Sequence, residues 1–89
     1  MTSPNLEEIT ITVKLFAIYQ EAFDMTEITY QFPPNTAVKA ILDRLTLDRP
    51  QLAQWHNVTR FGINLEFVDP DTIMLDRDEV VLIPPVSGG

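Results

Sequence analysis

Cysteine is absent from the sequence, histidine occurs once and glycine only three times, and each shortage excludes a kind of site. Without cysteine the chain has no disulfide framework, no thiolate metal site and no cysteine nucleophile, which suits a reducing cytosol. With a single histidine, His56, the sequence gives no support for a histidine-rich metal site or for a Ser-His-Asp relay. We therefore predict that His56 is a surface or partly packed residue, and that the chain binds no metal and no cofactor of its own.

Basic residues are also scarce, because six Lys and Arg stand against 13 Asp and Glu for a net charge of −7. This charge repels phosphate backbones and anionic membranes, so we predict neither a nucleic-acid nor a membrane partner. No apolar run approaches the roughly 18 residues of a membrane span. Residues 1–8, "MTSPNLEE", lack the basic and apolar regions of a signal peptide. A soluble, cytoplasmic protein is expected, in which the acidity serves solubility or a basic protein partner equally well.

The first half of the chain predicts two strands and a helix. Residues 9–16, "ITITVKLF", and 27–32, "EITYQF", alternate apolar and polar side chains, which is typical of strands with one buried face. The ten residues between them form a loop too short for a parallel crossover, so the strands should be antiparallel neighbours. After Pro33 and Pro34, Thr36 can cap a helix whose apolar residues recur at helical spacing. This helix should end near residues 48–50, and one short turn should follow, with Trp55 over an edge of the core.

The second half predicts three more strands, at residues 61–68, 72–75 and 80–83, separated by the acidic turns 69–71 and 76–79. The last run, "VVLI", does not alternate, which favours a central strand covered on both faces and parallel to the first strand. Turn formation explains the acids better than a calcium loop does, because their spacing does not fit one. These acids are Asp69, Asp71, Asp76, Asp78 and Glu79.

This order predicts one α+β domain, a twisted mixed sheet of four to five strands packed around one main helix. Residues 9–83 should form the domain, residues 1–8 a disordered extension and residues 84–89 an extended functional tail. The outer face of the sheet should keep some apolar surface, for which Phe16, Phe67 and Ile83 are the candidates.

The tail, "PPVSGG", holds two of the three glycines as its last two residues. Pro84 and Pro85 restrict the backbone and favour an extended exit from the last strand. Val86 and Ser87 bridge to Gly88 and Gly89, whose missing Cβ atoms allow an enzyme to close around the backbone. A frayed end is the alternative. A terminal carboxylate on so thin a tip predicts a carrier that is adenylated from ATP and then attacked by a sulfur or amine nucleophile.

The sequence resembles the MoaD-like small subunits of molybdopterin synthase, within the ThiS/MoaD sulfur carriers of the ubiquitin-like β-grasp fold. The resemblance lies in "VKLFA", "INLEFVDPDTIML" and above all "DRDEVVLIPPVSGG". It implies that a MoeB-like enzyme adenylates Gly89 with ATP and that a sulfur donor system converts it to a thiocarboxylate. The tail would then enter a MoaE-like large subunit, in a heterotetramer, and donate sulfur to precursor Z for molybdenum cofactor biosynthesis.

The resemblance also implies roles for individual residues. Phe16, Phe67 and Ile83 fall where the family contacts its partners, and the active site lies largely on the large subunit, so this chain is not catalytic alone. Two positions depart from the family pattern: Arg77 replaces a common turn glycine, and Gln20 replaces a common arginine. Carriers for thiamine or another sulfur-containing product, protein modifiers and plain binding modules remain alternatives.

Overall fold

The computed structural model describes residues 8–85 and places five strands in one mixed sheet. The strands are β1 (Ile9–Lys14), β2 (Glu27–Phe32), β3 (Arg60–Ile63), β4 (Glu66–Val68) and β5 (Glu79–Ile83). Helix α1 (Ile18–Phe23) connects β1 to β2, and α2 (Ala40–Asp48) with a 3-10 helix (Pro50–Val58) connects β2 to β3. The strand order is β2-β1-β5-β3-β4.

The last strand lies at the centre of the sheet, as predicted. It is parallel to β1, with Val13 opposite Val80, and antiparallel to β3, with Phe61 opposite Leu82. The predicted antiparallel pairing of β1 with β2 is also confirmed. Because β5 is central, the chain that follows Ile83 leaves from the middle of the domain.

The core lies between the inner face of the sheet and helix α2. Helix α2 contributes Ile41, Leu42 and Leu45 to the core, and the segment just before the helix contributes Val38. These side chains are buried against residues that alternate along the strands: Ile9, Ile11, Val13, Tyr30, Phe32, Phe61, Ile63, Val80 and Leu82. Trp55 packs against the edge of this core, as predicted. The apolar side chains at every second strand position and those at helical spacing in α2 therefore pack together in one core layer.

The prediction that β5 is covered on both faces is wrong. Its side chains alternate, with Val80 and Leu82 fully buried while Val81 and Ile83 are half-buried on the outer face. An apolar residue on the outer face looks the same in sequence as one in the core, so the unbroken "VVLI" run concealed the alternation.

The predicted single strand 61–68 is a hairpin. Asn64 and Leu65 both have positive φ, 49° and 76°, and they form a two-residue turn between Ile63 and Glu66. This geometry usually takes glycine at the second position, so Asn-Leu gave little sign of a turn. Asn64 instead fixes it through Glu79, by donating its backbone N–H to the Glu79 carbonyl and accepting the Glu79 N–H on Oδ1.

Three further predictions need correction. The predicted loop between β1 and β2 contains the helix α1. With six residues and no side-chain cap, α1 is too short to show a helical pattern in the sequence and has no N-terminal signal. The segment 72–75 forms only one bridge, Ala37 with Ile73, and no strand. Thr36 does not cap α2, because its hydroxyl donates to the Pro33 carbonyl. The backbone N–H groups of Val38 and Lys39, just before α2, donate instead to the carbonyls of Thr72 and Pro70.

Candidate functional site

The tail leaves the domain at the end of β5, where Pro84 is half-buried and Pro85 is exposed. The four tip residues, Val86, Ser87, Gly88 and Gly89, lie outside the described residues, as do residues 1–7 of the predicted N-terminal extension. Neither proline can donate to a ladder, so sheet pairing cannot continue through them. The two prolines therefore mark the point at which the sheet releases the chain.

The three predicted partner-contact residues are all near this exit. Gly62 of β3 pairs with both Val81 and Phe67, so a residue without a side chain separates two apolar residues on the outer face. Ile83 follows Val81 by two residues and thus shares its face. Phe16 follows Lys14, the β1 partner of Val81, by two residues. We call Phe16, Phe67, Val81 and Ile83 the outer-face patch.

The outer-face patch is open to solvent in the described structure. Phe67 is 74% exposed and Phe16 is 50% exposed, whereas Val81 and Ile83 are half-buried between neighbouring strands. Large apolar side chains that share one face beside a tail are typical of a protein-binding surface. The prediction that apolar surface remains on the outer face is confirmed.

A groove of about 570 Å³ runs beside the tail exit. Its walls come from the end of the 3-10 helix, the start of β3, β4 and the first residues of the tail: Asn57, Val58, Thr59, Arg60, Phe67, Ile83, Pro84 and Pro85. We call it the tail groove. Arg60 lies directly opposite Ile83 across the β3–β5 pair. The tail groove thus joins the outer-face patch to the tail and adds a positive charge to it.

Sequence reasoning missed Arg60 as a member of this site. The available signal was alternation, because Phe61 and Ile63 point inward and Arg60 must then point outward beside them. What the sequence could not supply was the strand order, which places Arg60 across from Ile83.

Lys14 places a charged cluster at the border of the outer-face patch. Its Nζ lies 2.7 Å from Glu27 Oε1 and 3.8 Å from Glu79 Oε2. The hydrogen bond and charge of Glu27 raise the pKa of Lys14 above its ordinary value. The charged Lys14 is therefore paired with carboxylates of both neighbouring strands, β2 and β5.

The acidic turn before β5 is built from hydrogen bonds, as predicted. Asp76 Oδ1 accepts the Thr10 N–H at 2.8 Å, and the buried Asp78 accepts the Leu75 N–H at 2.8 Å and an Asn64 side-chain N–H at 2.9 Å. Arg77 has φ 72°, so it takes the left-handed conformation that glycine adopts easily. These carboxylates fix the start of β5. Within residues 8–85, no three His, Cys, Asp or Glu side chains are arranged to hold a metal ion.

Three polar contacts anchor the 3-10 helix that borders the tail groove and Thr59 that follows it. His56 is half-buried, as predicted, and its Nε2 lies 2.6 Å from Thr46 Oγ1. The buried Tyr19 hydroxyl hydrogen-bonds Thr59, whose own hydroxyl donates to the Trp55 carbonyl at 2.8 Å. Burial raises the pKa of Tyr19 above its usual value. These contacts hold one wall of the tail groove in place.

Comparison with known proteins identifies the family. The sequence model of the ThiS family matches residues 13–89. The chain belongs to the ThiS family. It is 31% identical to a molybdopterin synthase sulfur carrier subunit of Arabidopsis thaliana, over 98% of this chain and 91% of that protein. It is also 31% identical to one of Chlamydomonas reinhardtii, over 89% of this chain and 98% of that protein.

Solved structures give the fold of this ThiS-family chain. SAMP1 from Haloferax volcanii, 25% identical, superposes with a TM-score of 0.76 over 90% of this chain and 99% of that one. A complex of subunits 1 and 2 of molybdopterin-converting factor from Helicobacter pylori matches at 23% identity and a TM-score of 0.57, over 91% and 100%. A Caldiarchaeum subterraneum ubiquitin matches at 16% and 0.60, over 92% and 99%. The predicted ubiquitin-like β-grasp is confirmed.

Neither departure from the family pattern is among the residues that line the tail groove. Arg77 keeps the left-handed turn even though it carries a side chain. Gln20 is exposed on α1, where its carbonyl accepts the Asp24 N–H at 2.8 Å. No described helix of this ThiS-family chain is long and apolar enough to cross a membrane.

Proposed function

We propose that this chain is the sulfur-carrier small subunit of a molybdopterin synthase, and that the carboxylate of Gly89 carries the sulfur. The observation that carries the proposal is the pair of relatives named molybdopterin synthase sulfur carrier subunit, which align over nearly the whole chain. The family match also runs through Gly89. The central strand that leads into Pro84 and Pro85 supplies the mechanical basis, because it anchors the tail in the middle of the sheet.

The chemistry begins with activation of a poor acyl donor. A carboxylate oxygen of Gly89 attacks the α-phosphorus of ATP held by a MoeB-like adenylating enzyme, and pyrophosphate leaves. A sulfur donor system then delivers a hydrosulfide equivalent to the acyl carbon. The carbon–sulfur bond forms, the carbon–oxygen bond to AMP breaks, and a thiocarboxylate remains. Sulfur enters at the sulfide level, so no change of oxidation state is required.

The loaded tail next enters a MoaE-like large subunit, where its sulfur forms a bond to a carbon of precursor Z and an oxygen substituent leaves that carbon. Hydrolysis at the acyl carbon returns the Gly89 carboxylate for another cycle. Phe16, Phe67 and Ile83 contact the large subunit and set the position of the tail. The Helicobacter pylori structure is a complex of subunits 1 and 2 of molybdopterin-converting factor, which supports a large subunit as the partner of this chain. A heterotetramer with two carriers on a dimer of large subunits follows as the proposed assembly.

Deletion of Gly89 tests this function against a plain binding module. We expect the truncated chain to unfold at the same denaturant concentration as the wild type, because residues 8–85 contain the core. We also expect it to form no molybdopterin when combined with large subunit, adenylating enzyme, ATP, sulfur donor and precursor Z. Wild-type levels of product from the truncated chain would contradict the proposal.

A protein modifier or a carrier for another pathway is the second candidate. The likeness to SAMP1, a protein that related structures name small archaeal modifier protein 1, favours it. Both candidates begin with adenylation and differ in the nucleophile that displaces AMP. Amide bonds between Gly89 and lysine side chains of other proteins would support a modifier, and sulfur transfer to a thiazole precursor would support a thiamine-type carrier.

A further inference from the structure

Arg60 differs from every other basic residue in the described part of the chain. Five of the six basic side chains lie within 4 Å of a carboxylate or over an aromatic ring: Lys14, Lys39, Arg44, Arg49 and Arg77. Within residues 8–85, Arg60 makes neither kind of contact. A second pocket beside β3 and β4 is lined by both Arg60 and Asp69, but these two side chains form no ion pair. In this chain of net charge −7, Arg60 is thus an exposed guanidinium that has no carboxylate or aromatic partner among residues 8–85.

The surroundings of Arg60 are apolar and continuous with the tail. It shares the tail groove with Val58, Phe67, Ile83 and the two tail prolines. Val58 is 49% exposed and Phe67 is 74% exposed, so their apolar surface is available to a partner. A protein that receives the tail must approach along Pro84 and Pro85, and it therefore covers Arg60 as it covers these side chains.

Covering Arg60 has a consequence that depends on the partner's chemistry. A guanidinium stays protonated in proteins, so it cannot become neutral when it loses water. A buried charge without a partner is strongly unfavourable, whereas a carboxylate matches the planar fork of arginine with two parallel hydrogen bonds. The tail groove therefore suits a surface that presents an acidic side chain among apolar ones, even though the net charge of this chain attracts a basic partner at long range.

We infer that Arg60 is a specificity-determining residue that pairs with an aspartate or glutamate of the large subunit, at the point where that subunit covers the tail groove. The inference rests on the proposed function, since it takes the large subunit as the occupant. Apolar contacts at Phe67 and Ile83 supply binding area, and Arg60 selects partners that carry the complementary acid. Proteins that lack an acid at this position are disfavoured, because they would leave the guanidinium buried without a counter-charge.

Calorimetric titration of the large subunit with the full-length chain and three Arg60 variants tests this inference. R60M keeps an unbranched apolar stem and loses the charge, R60K keeps the charge and loses the fork, and R60E reverses the charge. We expect R60M to weaken binding at least about tenfold and R60E at least about a hundredfold, with R60K between wild type and R60M. R77M, with the same change in net charge in the exposed turn before β5, should bind within about twofold of wild type.

A charge-reversal rescue identifies the partner acid. One Asp or Glu of the large subunit, changed to Arg, should restore the binding of R60E and weaken that of the wild type. If the wild-type chain does not bind the large subunit, the proposed function fails and the inference fails with it. If the wild type binds and R60M binds equally tightly, only the inference is overturned. Because Arg60 is exposed, thermal midpoints of all variants should match and exclude misfolding as the cause.

Discussion

At the scale of the residue, Arg77 shows how one side chain stores strain in a turn. Its φ of 72° lies in the left-handed region, which costs about 1 kcal/mol for a residue with a Cβ atom. The turn persists because its hydrogen bonds tie it to β1: the Arg77 N–H donates to the Thr10 carbonyl at 2.8 Å, and Asp76 accepts the Thr10 N–H. The neighbouring sheet therefore enforces the conformation.

Glycine at position 77 should be more favourable than alanine, because it relieves the strain of the left-handed turn. We expect R77G to be more stable than R77A by about 0.5 to 1 kcal/mol, because glycine adopts this φ without steric conflict, although its unfolded chain is more flexible. Urea unfolding of both variants measures the difference, and R77A controls for the loss of charge and of the side chain. Equal stability of the two variants would show that the turn carries no strain at this position.

Tyr19 and Tyr30, whose pKa values are both raised by burial, are the tyrosines through which alkaline pH should act on stability, and Tyr19 is the more deeply buried. Burial raises the pKa of its hydroxyl above the value near 10 of an unfolded tyrosine. The folded state thus holds the tyrosine proton more strongly than the unfolded state does. The contribution of this difference to the free energy of unfolding is complete below pH 10 and is lost as pH rises through the folded pKa. Lys14 and Lys39, with pKa values raised mainly by hydrogen bonds to Glu27 and Asp71, act in the same direction.

Tyr19→Phe separates the contribution of Tyr19 to the pH dependence of stability from the contributions of the other groups with raised pKa values. Near pH 8 the variant should be less stable than the wild type by about 1 kcal/mol, because the hydrogen bond to Thr59 is lost. Urea unfolding from about pH 8 to about pH 11 should show this gap shrinking above pH 10. A gap that stays constant over the whole range would contradict the burial argument.

At the scale of the element, the strands were easier to predict than the segments between them. Alternation fixes a strand with one buried face, so β1 and β2 followed from the residues themselves. The apolar run 80–83 predicted the central strand β5, but it concealed that only one face of this strand is buried in the core. The short helix α1 and the Asn64-Leu65 turn did not follow from the residues, because Ala17 begins α1 with a positive φ and no side-chain cap, and leucine is a poor residue for a left-handed turn. The start of α2 depends on backbone donors satisfied by residues 70–72, which are distant in sequence.

The outer-face patch followed from the sequence only in part. Phe16, Phe67 and Ile83 were predicted because they are apolar residues at outward positions. Arg60 and the tail groove required the pairing of β3 with β5, which no local pattern encodes. Alternation thus predicts which apolar residues lie on the outer face, whereas the residues that line the tail groove beside them depend on the strand order.

Phe67→Ala tests whether this face binds a partner or supports the fold. Because Phe67 is largely exposed, we expect stability to change by no more than about 0.5 kcal/mol. Affinity for the large subunit should fall at least about tenfold. Leu65→Ala is the matched control, since Leu65 is 90% exposed in the turn that precedes β4 and lies outside the outer-face patch. Unchanged affinity for the Phe67 variant would contradict a role in binding.

At the scale of the whole molecule, the central strand of the sheet leads directly into Pro84 and Pro85, beside an apolar patch and the guanidinium of Arg60. The described residues contain the central strand β5, a proline pair and an exposed apolar patch, which are the features that the proposed carrier role requires. The family match and the two named relatives connect these features to sulfur transfer. The central claim is that sulfur is carried on the carboxylate of Gly89.

Intact-mass analysis tests that claim most directly. The purified chain is incubated with the adenylating enzyme, ATP and a sulfur donor, and then weighed whole and after proteolysis. We predict a gain equal to the exchange of one oxygen for one sulfur, located on the fragment that contains Gly89, dependent on ATP and absent from the Gly89 deletion. An unchanged mass with the adenylating enzymes of its own organism, or the same gain on an internal fragment, would contradict the account.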